Sequence, residues 1–296
     1  MNKIIKNKPL DYKLLQYYVR RLKKLYPSIR IATCGKSVLG KEIYAFVWGE
    51  GKRNIVYVGG THGLEWVTSV TLLQFCESLL SREYICGYNV KNLLRNCTLI
   101  IIPALNPDGV EISQKGSVAC GFRTKENIKI CRNDYSGWSA NANGVDINHN
   151  FNADWYNLRK YEENNGINSP SPRRFGGLYP ESEPETKAIT RLLRNIEAET
   201  LIAFHSQGEE IFYEYGENTP EKSLVMAKAF ASATDYTIVK NEGHYSSGGL
   251  KDWFIEEFRK PGFTIEIGKG ENPLPISDFD DIYRKIEPLM ILGMIL

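Results

Sequence analysis

The sequence predicts an α/β fold. Short apolar runs of strand length alternate with longer apolar or amphipathic stretches of helix length along most of the chain. The length, 296 residues, with 42% hydrophobic and 24% charged residues, is that of an ordinary globular protein able to bury a sizeable core. Neither an internal repeat nor a clear linker interrupts it, so one domain over residues 1–296, with a largely parallel or mixed sheet, is expected.

The elements follow in order. Residues 11–25 carry Leu14, Leu15, Tyr18, Leu22 and Leu25 at helical spacing. "IRIATCGKSVLGKEIYAFVWG" reads as two strands around a glycine-containing turn, with Ile43, Ala45 and Val47 alternating in the second. "NIVYVGG" is a buried strand, and residues 66–80 form a mostly apolar helix. "CTLIIIPALNPDG" is the strongest strand, stopped by its "NPDG". Between Gly116 and Pro180 periodicity fades and Gly, Asn, Ser, Arg and Pro dominate, which predicts a long functional loop region. Trp138, Phe151, Trp155 and Phe175 predict that it is ordered. "SEPETKAITRLLRNIE" is a helix with Pro184 in its first turn and Ser182 or Glu183 as cap. Then come strands at "TLIAFHS" and "EIFYEYG", a helix at "EKSLVMAKAFASAT", a short strand at "YTIVK", a helix near 250–259, a strand at "FTIEIG" and a C-terminal helix.

Several function classes are disfavoured. A formal net charge of +2 does not point to nucleic acid or an anionic membrane as the main partner. No stretch approaches a transmembrane span. The first residues lack a secretory apolar core, and the six cysteines show no CxxC pair, so free thiols and a cytoplasmic location are expected. The oligomeric state is not legible. "VRRLKKLYP" reads as a solvated basic helix face.

The chain has only four histidines: His62, His149, His205 and His244. In "GTHGLEW", His62 and Glu65 stand three residues apart between a strand and a helix. An HxxE pair alone is a weak signal. Its context is stronger, because His205 ends the strand "LIAFHS" and Glu266 lies in "FTIEIG". Ligands of α/β sheets gather at the carboxyl ends of strands. Two imidazoles and a carboxylate, with a fourth position open to water, make a catalytic zinc site, and a separate glutamate can accept the water's proton.

Six ordered segments carry a resemblance: "GTHGLEW", "LNPDG", "GVDINHNF", "FHSQG", "SSGGLKDW" and "FTIEIG". Over nearly its whole length the chain resembles the carboxypeptidase A-like zinc metallocarboxypeptidases. The resemblance implies an α/β/α sandwich around a mixed, mostly parallel, eight-stranded twisted sheet. It implies one zinc ion held by His62, Glu65 and His205, with Glu266 as general base. It also implies an arginine that steadies the oxyanion; Arg132 is the first choice and Arg123 the second. "WSANANGVDIN", "YPESEPET" and "FHSQGEEIFY" resemble the branch of γ-D-glutamyl-diaminopimelate peptidases, which implies a murein-derived peptide as substrate.

Two positions depart from the family pattern. The asparagine–arginine pair that grips a substrate's terminal carboxylate is Asn148–His149 here. Histidine lacks the permanent charge and planar fork of arginine. The family's mobile tyrosine position is filled by His244, with Tyr245 next to it, and either one could cover the substrate. Arg173 and Arg174, in "NSPSPRRFGG", could replace the lost grip, or form a solvated charge pair. Lys251, beside the "SSGG" turn, is a candidate of the same kind, and Asp252 is expected to cap or pair near that turn. Three readings stand: a peptidase of murein peptides cutting between γ-D-glutamate and a diamino acid, a carboxypeptidase of ordinary peptides with another carboxylate grip, and an inactive peptide-binding sensor.

Overall fold

The computed structural model describes residues 3–240 and 247–296. Its strands are β1 Arg30–Lys36, β2 Glu42–Trp48, β3 Arg53–Val58, β4 Tyr84–Ile85, β5 Tyr88–Asn89, β6 Cys97–Ile102, β7 Thr200–His205, β8 Glu210–Phe212, β9 Thr237–Val239 and β10 Gly262–Glu266. The α-helices are α1 Tyr12–Leu25, α2 Trp66–Ser81, α3 Val90–Asn96, α4 Pro107–Lys115, α5 Thr124–Cys131, α6 Trp155–Asn164, α7 Pro184–Ile196, α8 Glu221–Thr234, α9 Leu250–Phe258 and α10 Phe279–Ile295. Among the described residues, eight strands form one sheet in the order β1-β2-β6-β3-β7-β10-β8-β9, and β4 and β5 form a separate hairpin. The four central strands run parallel, while β1, β2 and β8 pair antiparallel with their inner neighbours.

Period-two alternation divides the core. Ile55 and Tyr57 of β3 point to one face, with Leu99, Ile101, Ile202 and Phe204, and meet α1, α2, α8 and α10. Val56 and Val58 point to the other, with Ile100, Ile102, Leu201 and Ala203, and meet α7 and α9. The result is the three-layer α/β/α arrangement. Local signals set several helix ends. Asp11 caps α1 by accepting the Leu14 amide at 2.7 Å, and Leu15, Tyr18 and Leu22 supply its buried face. Pro184 opens α7 with Glu183 at the cap position, although no side-chain cap bond forms there.

Residues 116–180 are less irregular than their sequence predicts. They hold α5, α6 and short 3₁₀ turns. A local cluster around Ile112, Tyr135 and Trp138 packs this region. The strand expected over "EIFYEYG" is confined to Glu210–Phe212. "NPDG" does more than stop β6: Asn106 caps α4, accepting the Gly109 amide at 2.8 Å, and Pro107 sits in its first turn. No helix among the described residues is long and apolar enough to cross a membrane.

Candidate metal centre

His62 follows β3, and the 3₁₀ turn Gly63–Glu65 brings Glu65 back onto the same side. The turn is braced from below. Asn106 Nδ2 donates to Thr61 O at 3.0 Å and Ala140 O at 3.1 Å, and Gly63 N donates to Ser139 O at 2.9 Å. A β-carbon on Gly63 would lie 2.4 Å from Gly109 O, so this packing requires glycine. His205 is the last residue of β7 and pairs in parallel register with Glu266, the last residue of β10.

Three side chains from these strand ends converge. His62 Nδ1 lies 2.9 Å from Glu65 Oε1, and His205 Nδ1 lies 3.1 Å from Glu65 Oε2. The two Nδ1 atoms are 3.2 Å apart. Among the described residues this is the one group of three metal-binding side chains whose ligand atoms meet, within 4.8 Å of one another. Two neutral imidazole lone pairs cannot face each other at that distance without a proton or a cation between them. Zinc bonds of about 2.0–2.2 Å in a tetrahedron separate neighbouring ligand atoms by about 3.3 Å, close to the spacings found. His62 Nε2 meets Asp146 Oδ1 at 3.2 Å, the carboxylate–histidine support typical of metal ligands. His205 thus turns Nδ1 to the shared centre, while its buried Nε2 has no hydrogen-bond partner among the described residues. The donor set fits zinc.

The electrostatics agree. Burial works to raise the Glu65 carboxyl, but the His62 and His205 imidazoles overcome it and hold it at about 2. Burial works to lower His62, and Glu65 and Asp146 overcome it, so the imidazole lies well above the usual histidine range. Asp146 is held well below the carboxylate range against burial, by His62 and His149. A divalent cation held at this centre would supply positive charge to the same carboxylates. Burial, and then the charge of Glu65, push Glu266 well above its ordinary value. A cation beside Glu65 would cancel the second push.

A cavity of about 420 Å³ opens over this centre, lined by His62, Glu65, Asp146, His149, Arg173, Arg174, Gln207, Glu271 and Asn272 among others. A larger one, about 980 Å³ around Trp48, Arg30 and Arg95, holds none of these residues. The sequence profile of zinc carboxypeptidases matches residues 15–286.

The chain belongs to the zinc carboxypeptidase family.

It is 34% identical over 292 residues to gamma-D-glutamyl-L-diamino acid endopeptidase 1 of Lysinibacillus sphaericus, covering 97% of this chain and 72% of that protein. Its fold is similar to bovine thrombin-activatable fibrinolysis inhibitor, with a TM-score of 0.75, 22% identity and 97% of each chain covered. It is also similar in fold to the murein-tripeptide amidase of Escherichia coli O157, with a TM-score of 0.57, 22% identity, and 88% of this chain and 91% of that one covered. Like the rest of the zinc carboxypeptidase family, the chain is a zinc metallopeptidase.

The other expected site residues divide. His149, Arg173 and Arg174 line the cavity. His149 Nδ1 lies 2.7 Å from Glu162 Oε1 and 3.2 Å from Arg174 O. Burial works to lower the His149 imidazole, while Asp146 and Glu162 raise it overall. Asn148 is turned to the backbone: its Oδ1 accepts the Leu250 amide at 3.1 Å. Arg132, expected at the scissile carbonyl, lines the adjoining cavity; it and Asn133 are left-handed residues at the end of α5. Arg123 stacks on its neighbour Phe122, outside both cavities. Lys251 is buried, pairing with Asp252 and donating to Glu214 O at 2.7 Å, so it is structural. His244 and Tyr245 lie outside the described residues. The sequence reading missed Asp146 and Glu162 as site residues. Asp146 stands inside the recognised "GVDINHNF" segment; Glu162 carried no local signal.

Proposed function

We propose that this enzyme hydrolyses murein-derived peptides at the bond between γ-D-glutamate and a diamino acid. His62, Glu65 and His205 would hold the zinc ion. When bound there, zinc supplies Lewis acidity, polarising a carbonyl and acidifying water. Glu266 takes a proton from the attacking water at its carboxylate and returns it to the leaving amine nitrogen. Asp146 holds the His62 ring through Nε2.

The observation that carries the substrate reading is the state of position 149. An exopeptidase of ordinary peptides needs a cation there to grip a chain end. His149 instead spends Nδ1 on Glu162 and Arg174 O. The L. sphaericus relative, named for γ-D-glutamyl-L-diamino acid cleavage, supports the same reading. A cytoplasmic site of action belongs to the proposal, since all six cysteines are unpaired, as in a reducing compartment. The test is cleavage by the zinc-loaded protein of L-alanyl-γ-D-glutamyl-meso-diaminopimelate beside a hippuryl carboxypeptidase substrate, with products followed by mass. Release of diaminopimelate alone is expected. Cleavage of the hippuryl compound alone would overturn the substrate reading in favour of an ordinary carboxypeptidase. Cleavage of neither, nor of longer murein peptides, would leave the inactive sensor.

A further inference from the structure

Beside the zinc cavity lies a second one of about 650 Å³, whose lining includes Arg132, Asp134, Ser136, Arg173 and Arg174. Arg173 and Arg174 also line the zinc cavity, so the two spaces meet along this pair of side chains. Among the described residues none of the three guanidinium groups makes an ion pair. The nearest to one is a 3.4 Å contact from Arg173 Nη2 to Gly137 O, a neutral carbonyl. Asp134, the carboxylate in the second lining, is already engaged: its Oδ1 accepts from Ser136 N at 3.0 Å and Ser136 Oγ at 2.7 Å. In the second space three fixed positive charges are lined up with one carboxylate, an excess that draws an arriving anion to that side, while the carboxylates Glu65, Asp146 and Glu271 lie in the zinc cavity beyond the Arg173–Arg174 pair.

Arg174 is placed there by the site itself. Its φ of 67° is left-handed, a conformation that a β-carbon disfavours. Both of its backbone groups are held. Its N–H donates to Asp146 Oδ2 at 2.9 Å, and its carbonyl lies 3.2 Å from His149 Nδ1. Asp146 also supports His62, and His149 is anchored in turn on the buried Glu162. Glu162 Oε2 accepts from Arg159 and from Gly176 N, so this carboxylate is firmly seated. Both acceptors at His149 Nδ1 require a proton on that nitrogen. The residue that stands where the family has an arginine thus fixes the backbone of another arginine.

We propose that Arg132, Arg173 and Arg174 form an anion subsite next to the zinc centre, with Arg174 as the principal contact and Asp146, His149 and Glu162 as positioning residues. The ligand is a substrate carboxylate other than the scissile group. This rests on the γ-D-glutamyl reading, and deepens it: a γ-linked glutamate carries a free α-carboxylate a few bonds from the scissile carbonyl, where an α-linked peptide has none.

The test is calorimetric binding to the zinc-loaded protein of L-alanyl-γ-D-glutamate and of L-alanyl-D-isoglutamine, which replaces that α-carboxylate by an amide. The wild type is expected to bind the first about 10–100-fold tighter, the worth of a charge-assisted hydrogen bond. Arg174→Gln should reduce the ratio to about twofold, and Arg173→Gln or Arg132→Gln by less, with Arg174→Lys restoring part of it. Glu162→Gln should lower the ratio without weakening isoglutamine binding, which a general loss of folding would not do. A wild-type ratio near one, no measurable binding of either compound, or a ratio unchanged in the Arg174 variant would overturn the subsite. Cleavage separates this from the functional reading. A protein that prefers the dicarboxylate but cuts no murein peptide keeps the subsite and loses the activity. One that cuts it with unaltered KM in the arginine variants loses the subsite and keeps the activity.

Discussion

Replacing Asp146 by asparagine should weaken zinc binding while leaving every direct zinc ligand in place. Asp146 is buried, and its two oxygens serve different partners. Oδ1 faces His62 Nε2 at 3.2 Å and accepts the Asn148 amide at 3.1 Å; Oδ2 accepts the Arg174 amide at 2.9 Å. Asparagine keeps the shape but removes the charge and turns one acceptor into a donor. Exchanging a charge-assisted bond to His62 for a neutral one loses about 1 kcal/mol. The amide nitrogen must then face a donor on one side, leaving a buried group unsatisfied at a further cost of about 1–2 kcal/mol. The total, about 2–3 kcal/mol, bears on the orientation of the His62 ring and so on metal affinity. It agrees with the roughly 10–100-fold loss found when a group supporting a metal-bound histidine is removed. The assay is competition for zinc with a chelator of known affinity, beside a thermal melt of the zinc-free protein to separate folding from binding. A zinc affinity within twofold of wild type would refute the role given to Asp146.

Glu266→Gln should retain zinc and ligand binding while lowering turnover by at least about 10²–10⁴-fold, the contribution of a general base; turnover near the wild-type rate would remove Glu266 from the chemistry. Gly63→Ala would bring a β-carbon to within 2.4 Å of Gly109 O; a loss of about 1–3 kcal/mol in stability is expected from such overpacking, together with weaker zinc binding, and an unchanged melt would show that the turn relaxes freely. Burial, and then Asp108, raise the buried Glu185 carboxyl to about 8. A raised carboxyl stabilises the fold fully below its unfolded value of 4.5, and the stabilisation is lost as pH rises through about 8. Relative to wild type, Glu185→Gln should therefore gain stability as pH rises from about 6 to about 9, and parallel pH–stability curves would contradict this. A murein tetrapeptide with D-alanine after the diamino acid should be cut with kcat/KM within about tenfold of the tripeptide, because no grip on a chain end is required; tripeptide-only cleavage would point to a carboxylate clamp.

The parts of the site written locally were legible. His62 and Glu65 share one turn, and His205 and Glu266 end neighbouring parallel strands, so strand ends pointed to all four, and the family resemblance supplied their roles. What stayed hidden depends on partners distant in sequence or on helices whose patterns mislead. The buried face of α6 holds Arg159 and Glu162 beside Trp155 and Leu158, so it does not read as an apolar stripe. Glu162 therefore gave no hint that it would seat His149. In the same way, "NPDG" carries both a stop for β6 and a start for α4, and only the first was recognised. The left-handed turn after α5, where Arg132 joins the lining of the adjoining cavity, is set by two residues with no glycine to announce it.

The exchange at position 149 has a physical logic that reaches beyond one residue. An arginine there would place a permanent charge at the cavity wall and could not supply the short, rigid donor that spans Glu162 and Arg174 O. Histidine supplies that donor, with Nδ1 between two acceptors 2.7 Å and 3.2 Å away. Positive charge at the cavity is then furnished by Arg173 and Arg174, on the loop that walls the adjoining space. Charge placed there, in the proposed subsite, favours a substrate with a carboxylate beside the scissile bond rather than a chain terminus. In the proposed γ-D-glutamyl substrate that carboxylate belongs to the residue being cut, so a single displacement of charge accounts both for the loss of the terminal grip and for the unusual linkage.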